Sequence, residues 1–167
     1  MSEIKRDEVM NYRPGPDSEL PLDEGERVLA TFLPDRKRYW TDHAILAVLG
    51  VVLVSAALFW LNRPAQVPIA GFAIVIGMAA RGLYFRSEAF ARRWQLTDRR
   101  LIGPQGRQVM LLELATVRAL MGDVQLVTKS GGKHLIRHLA DAGPVVAQIE
   151  RMKNQRAAQR ATEGDVE

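Results

Sequence analysis

Histidines and arginines carry most of the chemistry available to this sequence, because the chain has no cysteine. Without thiols, disulfides, thiolate metal sites and cysteine nucleophiles are excluded. His134 and His138 are four residues apart, a spacing that places two metal ligands on one face of a helix. The surrounding residues predict a strand instead, and no pair of carboxylates lies nearby in the sequence. We therefore expect no metal site and no cofactor.

The hydroxyl side chains offer no catalytic arrangement. None of the serines and threonines of residues 87–130 falls in a nucleophile-elbow pattern, and no Ser-His-Asp arrangement can be argued. Lys129–Lys133 reads Lys-Ser-Gly-Gly-Lys, but a phosphate-binding loop has a longer glycine pattern that leads into a helix. We interpret this segment as a turn between two strands and expect no enzymatic activity.

Arginines are concentrated after the second of two apolar runs. Such a cluster just inside a membrane attracts anionic headgroups, at about 1 kcal/mol per charge. Alternatively, these arginines fix the membrane topology and keep strand faces soluble. The net charge of +4 is small and no nucleic-acid-reading motif is present, so we expect no nucleic-acid binding. The candidate headgroup contacts are Arg86, Arg92, Arg93, Arg99 and Arg100.

Two apolar runs must position this cluster. Residues 44–61 carry no charge and would span roughly 27 Å as a helix, close to the thickness of a bilayer core. Residues 67–85 carry one charge, Arg81, near the end where a guanidinium reaches the headgroups. The link between the runs is too short to hold a domain. The runs predict a transmembrane helical hairpin. The alternative, a buried hairpin of a soluble bundle, would need apolar runs of this length in a small core.

Flanking residues predict the orientation of this hairpin. Basic residues precede the first run at 36–38 and follow the second, whereas the link has only Arg63, so the positive-inside rule places both termini in the cytoplasm. Tyr39 and Trp40 are expected at the membrane interface. Ala73 and Gly77 form a small-xxx-small pair that would let the helices pack closely, although ordinary small residues explain it equally well.

The segments outside the hairpin predict an arm and a small domain. Residues 1–43 are an N-terminal arm, largely disordered to about residue 26, because acids and prolines dominate it. Residues 86–157 predict a small antiparallel sheet or partial barrel capped by a helix that starts near Asp141, with residues 158–167 frayed. The fold class is therefore α+β, and packing on the membrane, the arm or a second copy would complete so small a core. The predicted strands are 90–97, 100–102, 107–112, 116–121, 124–128 and 133–138.

Residues 94–102, Trp-Gln-Leu-Thr-Asp-Arg-Arg-Leu-Ile, resemble the bacterial pleckstrin-homology-like family of membrane proteins. Residues 24–29, Glu-Gly-Glu-Arg-Val-Leu, resemble the segment that precedes the first helix of such proteins, and the likeness covers most of residues 24–155. It implies a pleckstrin-homology-like (PH-like) domain on a hairpin in the bacterial inner membrane. Members are mostly uncharacterised and some are linked to assembly of membrane complexes, while PH-like folds generally bind proteins or lipids.

These observations favour a non-enzymatic interaction protein anchored in the bacterial inner membrane. It would act as a scaffold or assembly factor of a membrane complex, and an exposed sheet edge would receive the protein partner. One alternative is an anionic-lipid sensor that uses the arginine cluster. Another is a small accessory subunit of a transporter or membrane enzyme, with Arg81 facing a partner helix. The sequence also leaves open whether the chain forms a homo-oligomer.

Overall fold

The computed structural model describes residues 19–164 of the chain. It has an α+β architecture, in which two long apolar helices are followed by two small antiparallel sheets and a C-terminal helix. The helices are α1 (Arg36–Trp60), α2 (Val67–Ala91) and α3 (Ala142–Gly164). The strands are β1 (Val28–Phe32), β2 (Trp94–Thr97), β3 (Arg100–Ile102), β4 (Gln108–Met110), β5 (Leu114–Leu120), β6 (Asp123–Thr128) and β7 (Lys133–Ile136). We call α1, α2 and their link the helical hairpin, and β1–β7 with α3 the β-domain.

Both hairpin helices extend beyond the apolar runs toward the β-domain. Asp35 caps α1, since its Oδ1 accepts a hydrogen bond from the N–H of Arg38 at 2.7 Å. The α2 helix continues to Ala91, so the strand predicted to start at Phe90 is wrong in its first four residues and β2 begins at Trp94. The helix persists there because Phe90 packs on the Tyr39 ring of α1, with the centroids 5.1 Å apart.

The hairpin exposes its apolar surface. In the most apolar stretches of α1 and of Pro64–Ala91, only 0% and 6% of the residues are buried. Val48, Leu53 and Ile69 are all more than half exposed. Core helices of a soluble protein bury such side chains. The two helices are therefore long enough and apolar enough to cross a membrane.

Gly50, and not the predicted pair Ala73 and Gly77, lies at the contact between α1 and α2. Gly50 lies against Ile74, and a Cβ built at Gly50 would be 3.2 Å from Cγ2 of that isoleucine. Gly77 has nothing within 4 Å of such a Cβ, and Ala73 is exposed. The expected packing through Ala73 and Gly77 is therefore wrong, because these residues lie off the face of α2 that turns toward α1.

The first sheet contains a strand from the segment that precedes the hairpin. Its order is β1-β2-β3-β4, and β1 pairs antiparallel with β2 so that Phe32 lies opposite Trp94. The structure thus differs from the expected division into an arm of residues 1–43 and a domain that begins at residue 86. The pairing is favourable because it satisfies the outer edge of β2 and buries Phe32 and Trp94 together.

The second sheet has the order β5-β6-β7, and α3 packs over both sheets' core. Ile149 of α3 is fully buried, with Val145 and Met152 partly buried beside it, which confirms the predicted inner face of this helix. The helix runs to Gly164 instead of fraying after residue 157. The disorder expected for residues 1–18 and the fraying expected for residues 165–167 lie outside the described residues.

Candidate functional site

Arg100, one of the five arginines singled out in the sequence, is buried and committed to a structural network. Its Nε and Nη2 donate to the two carboxylate oxygens of Glu26 at 3.0 and 2.8 Å. Thr97 donates its hydroxyl to the same carboxylate at 2.7 Å. Burial raises the pKa of Glu26, but hydrogen bonds from Arg100 and Thr97 outweigh it and lower that pKa to about 2. This guanidinium therefore has no free face for a headgroup.

The Thr97–Arg100 turn holds residues 94–102 together with residues 24–29. The Thr97 hydroxyl oxygen accepts hydrogen bonds from the N–H groups of Arg99 and Arg100 at 3.1 and 2.9 Å, which closes the tight turn between β2 and β3. Asp98 then exchanges two hydrogen bonds with the backbone of Arg27, at 3.1 and 3.2 Å. Residues 24–29 and 94–102 thus form one folded unit.

The other four arginines are not gathered at one place. Arg93 makes a bidentate pair with Glu19, with its Nε and Nη2 at 2.7 and 3.0 Å from the two carboxylate oxygens. Arg92 pairs with Glu88, one turn earlier on α2. The last two are more open, since Arg86 is exposed beside α1 and the guanidinium of Arg99 stays 4.0 Å from the Asp98 carboxylate. The structure thus divides the predicted cluster into structural and solvent-facing members.

A larger concentration of charge lies in a cleft between the helical hairpin and the β-domain, which we call the junction cleft. It has a volume of about 670 Å³, and its walls come from α1, α2, β7 and the loop between β3 and β4. All three histidines of the chain line it, together with three acids (Asp42, Glu88 and Asp123). Its basic side chains are Arg81, Arg92, Arg107, Lys133 and Arg137. The lining residues therefore have a cationic excess.

The acids of the cleft are already engaged. Asp42 forms an ion pair with Arg38, with Oδ1 3.1 Å from Nε, and Glu88 pairs with Arg92. The Asp123 carboxylate accepts a hydrogen bond from the N–H of His138 at 2.9 Å. Among residues 19–162, no carboxylate pairs with the exposed side chains of Arg81, Lys133 and Arg137.

The pKa of His134 is lowered by its surroundings in the cleft. Its ring lies 6.2 Å from that of Trp94, measured between centroids. Burial lowers the pKa of His134, and the positive charge of Arg107 lowers it further. His134 is thus biased toward its neutral form.

His138 is the contact that joins the β-domain to α1. Its backbone oxygen accepts from the N–H of Asp35 at 2.6 Å, and its Nδ1 lies 3.0 Å from Oδ2 of Asp42. His138 and His134 therefore have different partners, and the described residues contain no group of three or more His, Asp or Glu suited to hold a metal ion. Sequence reasoning missed this junction, since its partners are 96 positions apart.

Tyr39, like His138, lies where the helical hairpin and the β-domain are in contact. Its side chain is 2% exposed and its hydroxyl donates to the backbone oxygen of Gly82 at 2.7 Å. Tyr39 is therefore packed inside the protein, and its level at the membrane interface stays a prediction. Its ring packs against those of His43 and His138, with centroids 4.4 and 5.2 Å apart, so it fills the space where hairpin and β-domain meet.

The turn between β5 and β6 projects an apolar side chain beside α1. Met121 is 90% exposed although it is apolar, and its backbone φ is +52°. Its backbone oxygen accepts a hydrogen bond from Nη2 of Arg38 at 2.5 Å. A left-handed conformation is unfavourable for a residue with a Cβ. We call Leu120–Gly122 the β5 tip.

Comparison with known proteins gives no relative from which a role can be transferred: no protein-family model, no curated protein and no solved structure matches this chain.

Proposed function

We propose that this chain is a non-enzymatic interaction protein anchored in the bacterial inner membrane. Its helical hairpin would cross the bilayer with both termini in the cytoplasm. The β-domain would be PH-like and would hold a protein partner as a scaffold or assembly factor of a membrane complex.

The exposed apolar surface of the hairpin supports the anchor. Exposed side chains such as Leu53 and Phe72, 69% exposed each, would contact lipid instead of water. Seven antiparallel strands in sheets of four and three, followed by a C-terminal helix, support the PH-like interpretation.

The β5 tip is the observation that carries the interaction role. An apolar residue that is 90% exposed in a left-handed conformation is unfavourable for stability and for solubility, and such outliers concentrate at functional positions. The outer edge of β5 pairs with no other strand within residues 19–164. From Thr116 to Leu120 this edge leads directly to the tip, so a partner strand added there would also contact Met121.

Carbonate extraction tests the anchor on its own. The full-length protein should stay in the membrane pellet at high pH, because its hairpin would be embedded in lipid. Release into the supernatant as a monodisperse protein without detergent would refute the anchor.

Full-length variants test the interaction surface. Met121→Asn keeps a residue tolerant of the left-handed conformation and removes the apolar tip, and Ala119→Pro removes an edge N–H that faces away from β6. The matched control is Met110→Gln, which alters another exposed methionine in the first sheet.

Co-purification from native membranes in mild detergent should lose the same partner proteins with both tip variants and retain them with the control. Retention of every partner by all three variants would exclude the β5 tip as the recognition surface.

A further inference from the structure

We propose that the junction cleft binds the phosphate-bearing headgroup of an anionic phospholipid. This site differs from the arginine cluster read from the sequence, with which it shares only Arg92. The inference rests on the proposed membrane insertion, which fixes the level of the cleft at the bilayer surface.

Three cations line the cleft, and none of them has a carboxylate partner among residues 19–162. Arg81 belongs to α2, Lys133 is the first residue of β7, and Arg137 directly follows β7. The fourth cation, Arg107, has the side-chain oxygen of Gln105 at 3.4 Å as its contact. Guanidinium and ammonium groups from opposite walls can donate to one phosphate together.

The acids of the cleft do not cancel this charge. Asp42 faces Arg38 and His138, Glu88 faces Arg92, and Asp123 faces the backbone of His138. Asp42 and Glu88 are thus paired with cations other than Arg81, Lys133 and Arg137, and the cleft keeps more basic than acidic side chains. Burial lowers the pKa of the neighbouring His134, and the positive charge of Arg107 lowers it further.

Apolar side chains at the rim favour a lipid over a soluble phosphate. Leu46 and Phe85 line the cleft where it meets the apolar runs, and they are 48% and 43% exposed. The guanidinium of Arg81 lies 5.8 Å from the centre of the Phe85 ring, so charge and apolar surface adjoin. With the hairpin in a bilayer, this rim is continuous with the lipid-facing surface, and acyl chains can extend along the helices while the headgroup lies in the cleft.

The test uses the purified full-length protein in a nonionic detergent, titrated with short-chain phosphatidylglycerol, short-chain phosphatidylcholine or inorganic phosphate. Binding is followed by the rise in unfolding temperature and by native mass spectrometry of retained lipid. The cleft variant is Lys133→Gln/Arg137→Gln, with Arg81→Gln as a second variant on the helical wall. The matched control, Arg151→Gln/Arg160→Gln, removes the same charge from exposed positions of α3.

We expect phosphatidylglycerol to bind more tightly than phosphatidylcholine. The cleft variant should weaken this binding about 25-fold and Arg81→Gln about fivefold, while the control should retain it. Equal losses in the cleft variant and the control would overturn the proposal, since they would indicate net charge alone. Equal affinity for both lipids would overturn it as well. A stabilisation by inorganic phosphate equal to that by phosphatidylglycerol would assign the cleft to a soluble anion.

Failure of this inference is distinguishable from failure of the proposed function. Lipid binding in detergent is read from the cleft variants, membrane insertion from carbonate extraction and partner recognition from the β5 tip variants.

Discussion

Glu26 and Arg100, 74 positions apart in the chain, form a bidentate ion pair in which both side chains are almost fully buried. The helical hairpin lies between them in the sequence, so this contact joins the segment before the hairpin to the segment after it. The pair also receives the Thr97 hydroxyl, the N–H of Asp23 and the side-chain oxygen of Gln108. It is therefore the structural centre of the first sheet's outer face.

Removing one member of this pair should be strongly destabilising. Glu26→Leu leaves the Arg100 guanidinium buried without its main partner, and we expect a loss of about 3–5 kcal/mol of unfolding free energy. The double variant Glu26→Leu/Arg100→Met should be less destabilised than the sum of the single variants, because it leaves no uncompensated charge. Denaturant unfolding in detergent measures this cycle. Additive losses would contradict a coupled pair.

Stability should also depend on pH in acid through Glu26. Its pKa falls from 4.5 to about 2 on folding, so the folded state binds fewer protons than the unfolded state between these values. The stabilisation is complete above about pH 4.5 and is lost as the pH falls toward 2, with a total near 3 kcal/mol. Glu26→Gln should reduce this slope. An unchanged slope in the variant would assign the acid sensitivity to other carboxylates.

Alanine variants of two glycines with left-handed backbones should show how much of the loss in stability comes from backbone conformation and how much from a side-chain contact. Gly122 has a φ of +90°, and a Cβ there would lie 2.6 Å from Nη2 of Arg38, whereas Gly131 has a φ of +88° and open space. Both alanine variants should lose about 1–2 kcal/mol from the backbone conformation. Gly122→Ala should lose more, since it also displaces Arg38 from the turn. Equal unfolding temperatures for the two variants would show that the Arg38 contact adds nothing.

The buried hydroxyl of Tyr39 offers a local test of the junction. Tyr39→Phe removes the hydrogen bond to the Gly82 backbone oxygen, and we expect a loss of about 1 kcal/mol. Tyr84→Phe is the control, because that side chain is 78% exposed. Thermal unfolding of both variants should show a lower midpoint for Tyr39→Phe alone. Identical midpoints would mean that water replaces the lost bond.

Local patterns predicted most elements because they depend on short-range chemistry. The uncharged run 44–61 predicted α1, and the strands after residue 97 were located within a few residues. The α2 helix was underestimated, since its last turn holds through packing of Phe90 on Tyr39, a contact between residues far apart in sequence. Similarly, Val28–Phe32 was assigned to the N-terminal arm and its strand partner was not predicted, because an edge strand is specified by the neighbour it pairs with.

The arginines show the same division for the candidate site. Sequence located the basic excess after the second helix, but nothing local distinguishes Arg100, which is buried on Glu26, from Arg86, which is exposed. Lys133 and Arg137 were overlooked because they are separated from Arg81 by about fifty residues and line the same cleft only once β7 lies beside the hairpin.

The sequence by itself determined the two apolar helices, the strand-rich segment and the final helix, since length, hydropathy and turn residues act over a few neighbouring positions. Tertiary structure alone decided which charged side chains form ion pairs and which remain exposed to solvent. Burial and partner geometry set the energy of a charge, and both depend on contacts such as Glu26 with Arg100 and His138 with Asp42, which the chain makes only when folded.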